Sequence, residues 1–201
     1  MARRVVITGI GVLAPGGIGV REFWDLLSSG RTATREITHF DASPFRSRVA
    51  AEADFLPELH GLTQEEIRRM DRAAQFAVVA AREAVEDSGV DFAALDPYRT
   101  GVSIGTGVGA VGSLDKAYRA TSLGGRLAAV DHARAPQHLY DHFVPGSFAT
   151  EVAWAVGAEG PAAVISSGCT AGIDSVAHAV DLIREGSADV MVTGATDAPI
   201  T

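Results

Sequence analysis

Short apolar runs alternate along this chain with longer segments in which apolar residues recur every three or four positions. That alternation predicts a mainly parallel β-sheet covered by helices. The runs are 4–10, 102–105, 162–166 and 188–192. The run at 162–166 carries no charge and is expected to be a strand buried on both faces. Helical periodicity marks 20–29, with Phe23, Leu26 and Leu27 inward. A stronger signal starts at Thr63, where Thr63-Gln64-Glu65-Glu66 forms a capping box. Ile67, Met70, Ala74, Ala77, Val78, Ala81 and Val85 then make one stripe ending near Gly89. Helices are also expected over 114–123, over 136–143 with proline in the first turn, and over 147–156. The last helix runs from near Thr170 to Gly186. Its apolar stripe is Ile173, Val176, Ala177, Val180 and Ile183, and Asp174, Asp181, Arg184 and Glu185 take the other side. Between the first two helices, 30–62 is irregular apart from an edge strand at 49–55, and a loop of that length is more often functional than idle.

Composition narrows the class without changing this picture. A chain of 201 residues that is 47% hydrophobic and 21% charged can bury a sizeable core, as a globular α/β protein does. A formal charge of −8 argues against a general binder of nucleic acid or of anionic membranes. The single cysteine excludes an internal disulfide, and the absence of paired Cys/His spacings leaves no metal site, so a reducing cytoplasm fits. The basic start at Arg3-Arg4 precedes an apolar stretch that Gly9, Gly11 and Pro15-Gly16-Gly17 interrupt. The stretch reads as a first core strand rather than a signal segment, and no apolar run is long enough to span a membrane.

The candidate chemistry centres on Cys169. It falls where the 162–166 strand turns through Ser167-Gly168 into a helix. Unpaired N–H groups and the positive end of the helix dipole favour thiolate over thiol at such a place, and thiolate is the nucleophilic form. A free cysteine is also often a small buried hydrophobe, and the residues alone leave both readings open. Gly168 and Gly172 keep the turn uncrowded. Gly9-Ile10-Gly11-Val12-Leu13-Ala14 matches a dinucleotide fingerprint, but the helix is delayed and no acidic residue ends a second strand, so a tight strand exit is the simpler reading. Gly105-Thr106-Gly107-Val108-Gly109 lacks the lysine of a phosphate loop and suits close approach of backbone to a substrate or another chain. His138 and His142 lack the glutamate of a zinc helix. His178 lies roughly 13 Å along the helix from Cys169, too far to serve as its base. Arg68, Arg69 and Arg72 form the densest basic patch, which by default is a solvated face.

Several segments together resemble one family. Ile165-Ser166-Ser167-Gly168-Cys169-Thr170-Ala171-Gly172 and Arg4-Val5-Val6-Ile7-Thr8-Gly9-Ile10-Gly11 are similar to the N-terminal half of β-ketoacyl-[acyl carrier protein] synthases. Residues 31–35, 51–55, 69–73, 152–161 and 186–191 resemble more narrowly the ketosynthase α subunit of bacterial type II aromatic polyketide synthases. The resemblance implies a thiolase-like fold, of which this chain would be the N-terminal half of an α-β-α-β-α stack. It implies decarboxylative Claisen condensation with no bound cofactor, on substrates carried by the phosphopantetheine arm of an acyl carrier protein. It gives Cys169 the role of acyl acceptor, with its own N–H as one oxyanion donor. It assigns Arg68 and Arg69 to carrier-protein docking, and Gly107, Gly109 and Leu114 to the acyl pocket. Phe143 and Val144, with Pro145, match a segment reaching across a dimer, whose partner would be the chain length factor, a sister subunit in which the cysteine is typically replaced. A homodimeric fatty-acid synthase and a non-catalytic scaffold on the same fold are the alternatives. The family's histidines, lysine and second oxyanion donor belong to a C-terminal half, and the resemblance ends near the middle of the pattern. The chain is therefore expected to carry the nucleophile without the groups that complete its chemistry.

Overall fold

The computed structural model describes residues 3–126, 130–144 and 146–201. A small hairpin, β1 (Leu13–Ala14) with β2 (Gly17–Ile18), leads into α1 (Val20–Ser29). An antiparallel ribbon follows, β3 (Thr34–Glu36) with β4 (Val49–Ala51), then α2 (Gln64–Arg69) and α3 (Arg72–Ser88). The remainder is β5 (Thr100–Gly105), α4 (Val111–Thr121), α5 (Leu139–Phe143), α6 (Ser147–Val156), β6 (Ala162–Ile165), α7 (Ala171–Glu185) and β7 (Val190–Ala195). The main sheet is parallel, in the order β6-β5-β7, with Val102 opposite both Ala162 and Val192.

Alternation along β5 divides the helices between two faces. Val102 and Ile104 enter the core with Ala74 and Val78 of α3 and Phe148 and Val152 of α6. Gly101, Ser103 and Gly105 face the other way, toward α7. A side chain at Gly105 would put Cβ 2.3 Å from the Ala171 carbonyl oxygen, so glycine there lets the first turn of α7 rest on the strand. On that face Ser103 Oγ lies 3.1 Å from Nδ1 of His178, which engages His178 with the sheet and away from Cys169.

The capping box at Thr63 forms as expected: Thr63 Oγ1 accepts from the Glu66 N–H, and the Glu66 carboxylate accepts from the Thr63 N–H at 2.7 Å. The single helix expected over 63–89 is two, because Met70 leaves helical geometry and Asp71 starts α3 afresh as its cap, accepting from the Ala73 N–H at 2.8 Å. In α1, Leu27 is exposed rather than inward.

Three other expectations are overturned. The strand buried on both faces is β5, whereas β6 is a half-buried edge of the sheet. Residues 4–10 form no strand, and residues 3–11 make no backbone-to-backbone hydrogen bond among the described residues. Side chains hold this segment instead: Arg3 reaches Asp189, and the Ile10 and Val12 N–H groups donate to Asp87 and Glu83. A cleft of about 460 Å³ separates it from β7, with α3 and α7 as walls. Gly9 and Gly11 are close-approach residues here, since a Cβ would lie 2.1 Å and 1.8 Å from carbonyl oxygens of α3. Finally, α7 turns its small residues Ala171, Ser175 and Ala179 to the sheet, leaving Ile173 75% and Val176 38% exposed. Helix and sheet approach closely through small residues, so the bulkier apolar stripe stays uncovered. No helix among the described residues is long and apolar enough to cross a membrane.

Candidate active site

Parallel strands bring their carboxyl ends to one edge of a sheet, where the loops that follow can share a site. Here those loops are 106–109 after β5, 166–170 after β6 and 196–200 after β7. Two ladder-like bonds continue past the strands: Thr106 N–H donates to Ile165 O at 3.0 Å, and Thr196 N–H to Gly105 O at 2.9 Å. The three loops are thereby fixed relative to one another.

Cys169 is exposed in this cluster, in a single 3₁₀ turn, Gly168–Thr170, which runs directly into α7. Within these residues the cysteine is therefore not packed as a buried hydrophobe. Gly168 has φ of 74°, a left-handed conformation that costs little only without a Cβ, and this bend lets the chain reverse from β6 into the helix. The turn is tied from behind. Oδ2 of Asp174 accepts from Thr170 Oγ1 at 2.9 Å and also from Ser167 Oγ, so one carboxylate oxygen binds residues on either side of Gly168 and Cys169. These two bonds, the Ser167 bond first, hold the Asp174 carboxyl below its usual range.

The facing wall is the glycine-rich loop. A Cβ on Gly107 would lie 3.5 Å from the Gly168 carbonyl oxygen, so this loop passes beside the cysteine turn. Asp197 organises it. Its carboxylate accepts from Thr106 Oγ1 at 2.8 Å, from the Gly107 N–H at 2.9 Å and from the Val108 N–H at 3.0 Å. Thr106 Oγ1 in turn accepts from the Gly109 N–H at 2.9 Å. The sequence reading missed both aspartates. Asp174 looked like one more residue of a polar face, and neither spacing nor composition signals which hydroxyls or N–H groups a carboxylate will meet.

The other expected site residues separate. Gly107 joins the cysteine wall, while Gly109 has φ of 64° at the exit of the same loop. Leu114, on α4, is exposed, and the cleft beside β7 is not lined by Cys169, Gly107, Gly109 or Leu114. Phe143 is exposed at the end of α5 and Val144 follows it; Pro145 lies outside the described residues. The two arginines differ sharply. Arg68 is exposed, and its carbonyl accepts from Nε2 of His142 at 3.1 Å. Arg69 points inward to a bidentate pair with buried Glu151, at 2.8 and 2.7 Å, with its guanidinium 5.1 Å from the centre of a Trp154 ring. The Arg69 side chain is thus already engaged within the chain.

Comparisons with known proteins agree with this architecture. The family model described as Beta-ketoacyl synthase, N-terminal domain, matches residues 2–201. The chain is 66% identical over 199 residues to a polyketide beta-ketoacyl synthase 1 of Streptomyces virginiae, covering 99% of this chain and 47% of that protein. It is 58% identical, with the same two coverages, to the ketoacyl synthase alpha subunit of the tetracenomycin polyketide synthase of Streptomyces glaucescens. Among solved structures, an acyl-carrier protein in complex with its type II polyketide ketosynthase bound to a hexaketide matches with a TM-score of 0.86 at 32% identity, covering all of this chain and 47% of that one. The ishigamide ketosynthase/chain length factor matches with the same score and identity, covering 98% of this chain and 48% of that one. The chain spans about half the length of the curated relatives it matches.

Proposed function

This chain belongs to the beta-ketoacyl synthase family, whose N-terminal domain it carries, and from that premise we propose that it is the nucleophile-bearing half of a ketosynthase α subunit in type II polyketide assembly. In this reading residues 1–201 form one half-domain, and a C-terminal half supplies the histidines, the lysine and the second oxyanion donor. The observation that carries the proposal is the exposed Cys169 at the mouth of the strand-to-helix turn.

The reaction has two stages. The Cys169 thiolate adds to the thioester carbonyl of an acyl group on the phosphopantetheine arm of an acyl carrier protein. The carbonyl oxygen takes the negative charge, which the Cys169 N–H helps to stabilise. The carbon–sulfur bond to the arm then breaks and the carrier leaves as a thiol, taking up one proton. Next, malonyl-carrier protein loses CO₂, and the resulting enolate carbon attacks the acyl group on Cys169. A carbon–carbon bond forms, and the Cys169 thiolate departs. In this reading the groups that promote decarboxylation come from the C-terminal half.

The partners follow from the same reading. A chain length factor pairs with the synthase through the segment of exposed Phe143 and half-buried Val144, and the 106–109 loop with Leu114 closes an acyl pocket in the assembled protein. An acidic carrier protein docks on Arg68, with Arg69 contributing through the edge of its pair with Glu151. A reducing cytoplasm keeps the single thiol free. Identities of 58% and 66% to polyketide synthases favour this reading over a fatty-acid synthase.

Iodoacetamide tests the nucleophile directly, because Cys169 is the single thiol of this chain. Rapid alkylation near neutral pH, mapped to the peptide containing Cys169, is expected, with protection after loading by an acyl carrier protein. A folded chain whose thiol stays inert would overturn the assignment.

A further inference from the structure

The two carboxylates that converge on the cysteine site go beyond the roles assigned above. Asp174 and Asp197 lie on different elements, yet each serves one wall of the site. Asp174, in the first turn of α7, draws Ser167 and Thr170 to a single oxygen and so closes the loop of chain that contains Gly168 and Cys169. Asp197, just after β7, gathers the Thr106 hydroxyl and the consecutive N–H groups of Gly107 and Val108. Neither is buried in the core: Asp197 is exposed, and Asp174 is half-buried beside the packed face of α7 formed by Ala171, Ser175 and Ala179. What they hold is backbone. The left-handed Gly168 and the glycines at 107 and 109 leave both walls free to rearrange, and side-chain bonds remove that freedom.

We propose that Asp174 and Asp197 are positioning residues for Cys169, the first fixing the turn that presents its sulfur and N–H, the second fixing the facing loop that the acyl group must pass. The proposal rests on the reading of Cys169 as acyl acceptor. An oxyanion donor is effective only when its direction is set before the charge develops, and the Cys169 N–H belongs to the turn that Asp174 closes. The loop on Asp197 sets the other side of the approach, since a Cβ built on Gly107 would lie 3.5 Å from the Gly168 carbonyl oxygen.

The test uses the full-length synthase with its partner subunit and measures single-turnover acyl transfer from a carrier protein to the enzyme, across carrier concentrations, with thermal midpoints alongside. Asp174→Ala and Asp197→Ala are each expected to slow transfer at saturating carrier by about tenfold or more, with half-saturation unchanged, because docking is untouched. Asp174→Asn keeps an oxygen able to accept both hydroxyls and is expected to recover to within about threefold of wild type. Asp197→Asn, whose NH₂ must face one of the loop N–H groups, falls between. Should Asp174→Ala fail to fold, Thr170→Val removes a donor from the opposite side and is expected to slow transfer in the same sense. Wild-type transfer in the alanine or valine variants overturns the proposal, as does a loss seen equally in Ala and Asn variants that follows the thermal midpoint alone. Cys169→Ala in the same assay keeps the two claims apart: if it still accepts the acyl group, the nucleophile assignment has failed, whatever the aspartates do.

Discussion

At the carboxyl ends of β5, β6 and β7, polar groups of the loops are taken up by neighbours: Asp197 by the 106–108 loop, Asp174 by Ser167 and Thr170, Thr196 Oγ1 by the Ala73 carbonyl. Along the outer edge of β7 the opposite holds. β7 pairs only with β5 among the described residues, residues 3–11 have no ladder, and an apolar cleft of about 460 Å³ lies between them. Val6, Ile7 and Ile10 are exposed there, 64%, 80% and 52%. The difference teaches that the surroundings of Cys169 are built from local side-chain and backbone contacts. The flank, like Ile173 on α7, presents apolar surface that the described residues leave uncovered.

Substitutions in the two regions should therefore differ in cost. Gly105→Ala forces a Cβ to within 2.3 Å of the Ala171 carbonyl oxygen, so β5 and α7 must part. Urea titration of the chain should register a loss of about 3 kcal/mol, the upper part of the range for overpacking. Ile7→Ala on the flank should register less than about 0.5 kcal/mol, as expected for an exposed side chain. An equal loss at both positions would break the comparison.

Arg69 and Arg68 sharpen it on a smaller scale. Arg69→Ala strands the buried Glu151 carboxylate, and because Arg69 is itself 26% exposed the loss should be roughly 2 kcal/mol rather than the 3–5 of a fully buried pair. Arg68→Ala should leave stability within about 0.5 kcal/mol, and should weaken carrier docking instead.

The smallest effect concerns the tether that fastens the flank to the amino ends of β5 and β7, where Asp189 meets Arg3 and Arg99. Arg99, first, and then Arg3 lower the Asp189 carboxyl from 3.8 to about 2. A depressed carboxylate contributes stability above its ordinary value and loses it as pH falls through the folded one. Thermal midpoints of the wild type should therefore drop between pH 4 and 2, in the window set by those two values, and those of Asp189→Asn should drop less steeply. Parallel curves would show that the tether carries no stability.

Much of this was legible from residues in order. Helix 147–156 and the strand ends before Cys169 and Gly107 are where apolar spacing put them, because propensity, glycines and packing all favour the same answer there. The packed face of α7 was not legible. Both of its sides carry apolar residues, and which one meets the sheet depends on the glycines of a strand some 70 positions earlier, Gly101 and Gly105. The first run of residues likewise has the composition of a strand and lacks a neighbour to pair with, which only the three-dimensional arrangement reveals. At the site, Cys169 announced itself by position, whereas Asp174 and Asp197 act through hydroxyls and N–H groups that the fold brings to them.

The most direct test of the central claim is mass spectrometry of the full-length synthase after incubation with an acyl carrier protein. The account predicts a mass increase equal to the acyl group, removed by hydroxylamine, mapped to the peptide containing Cys169 and absent in Cys169→Ala. An acyl group mapped to any other residue, or loading that survives Cys169→Ala, would contradict it.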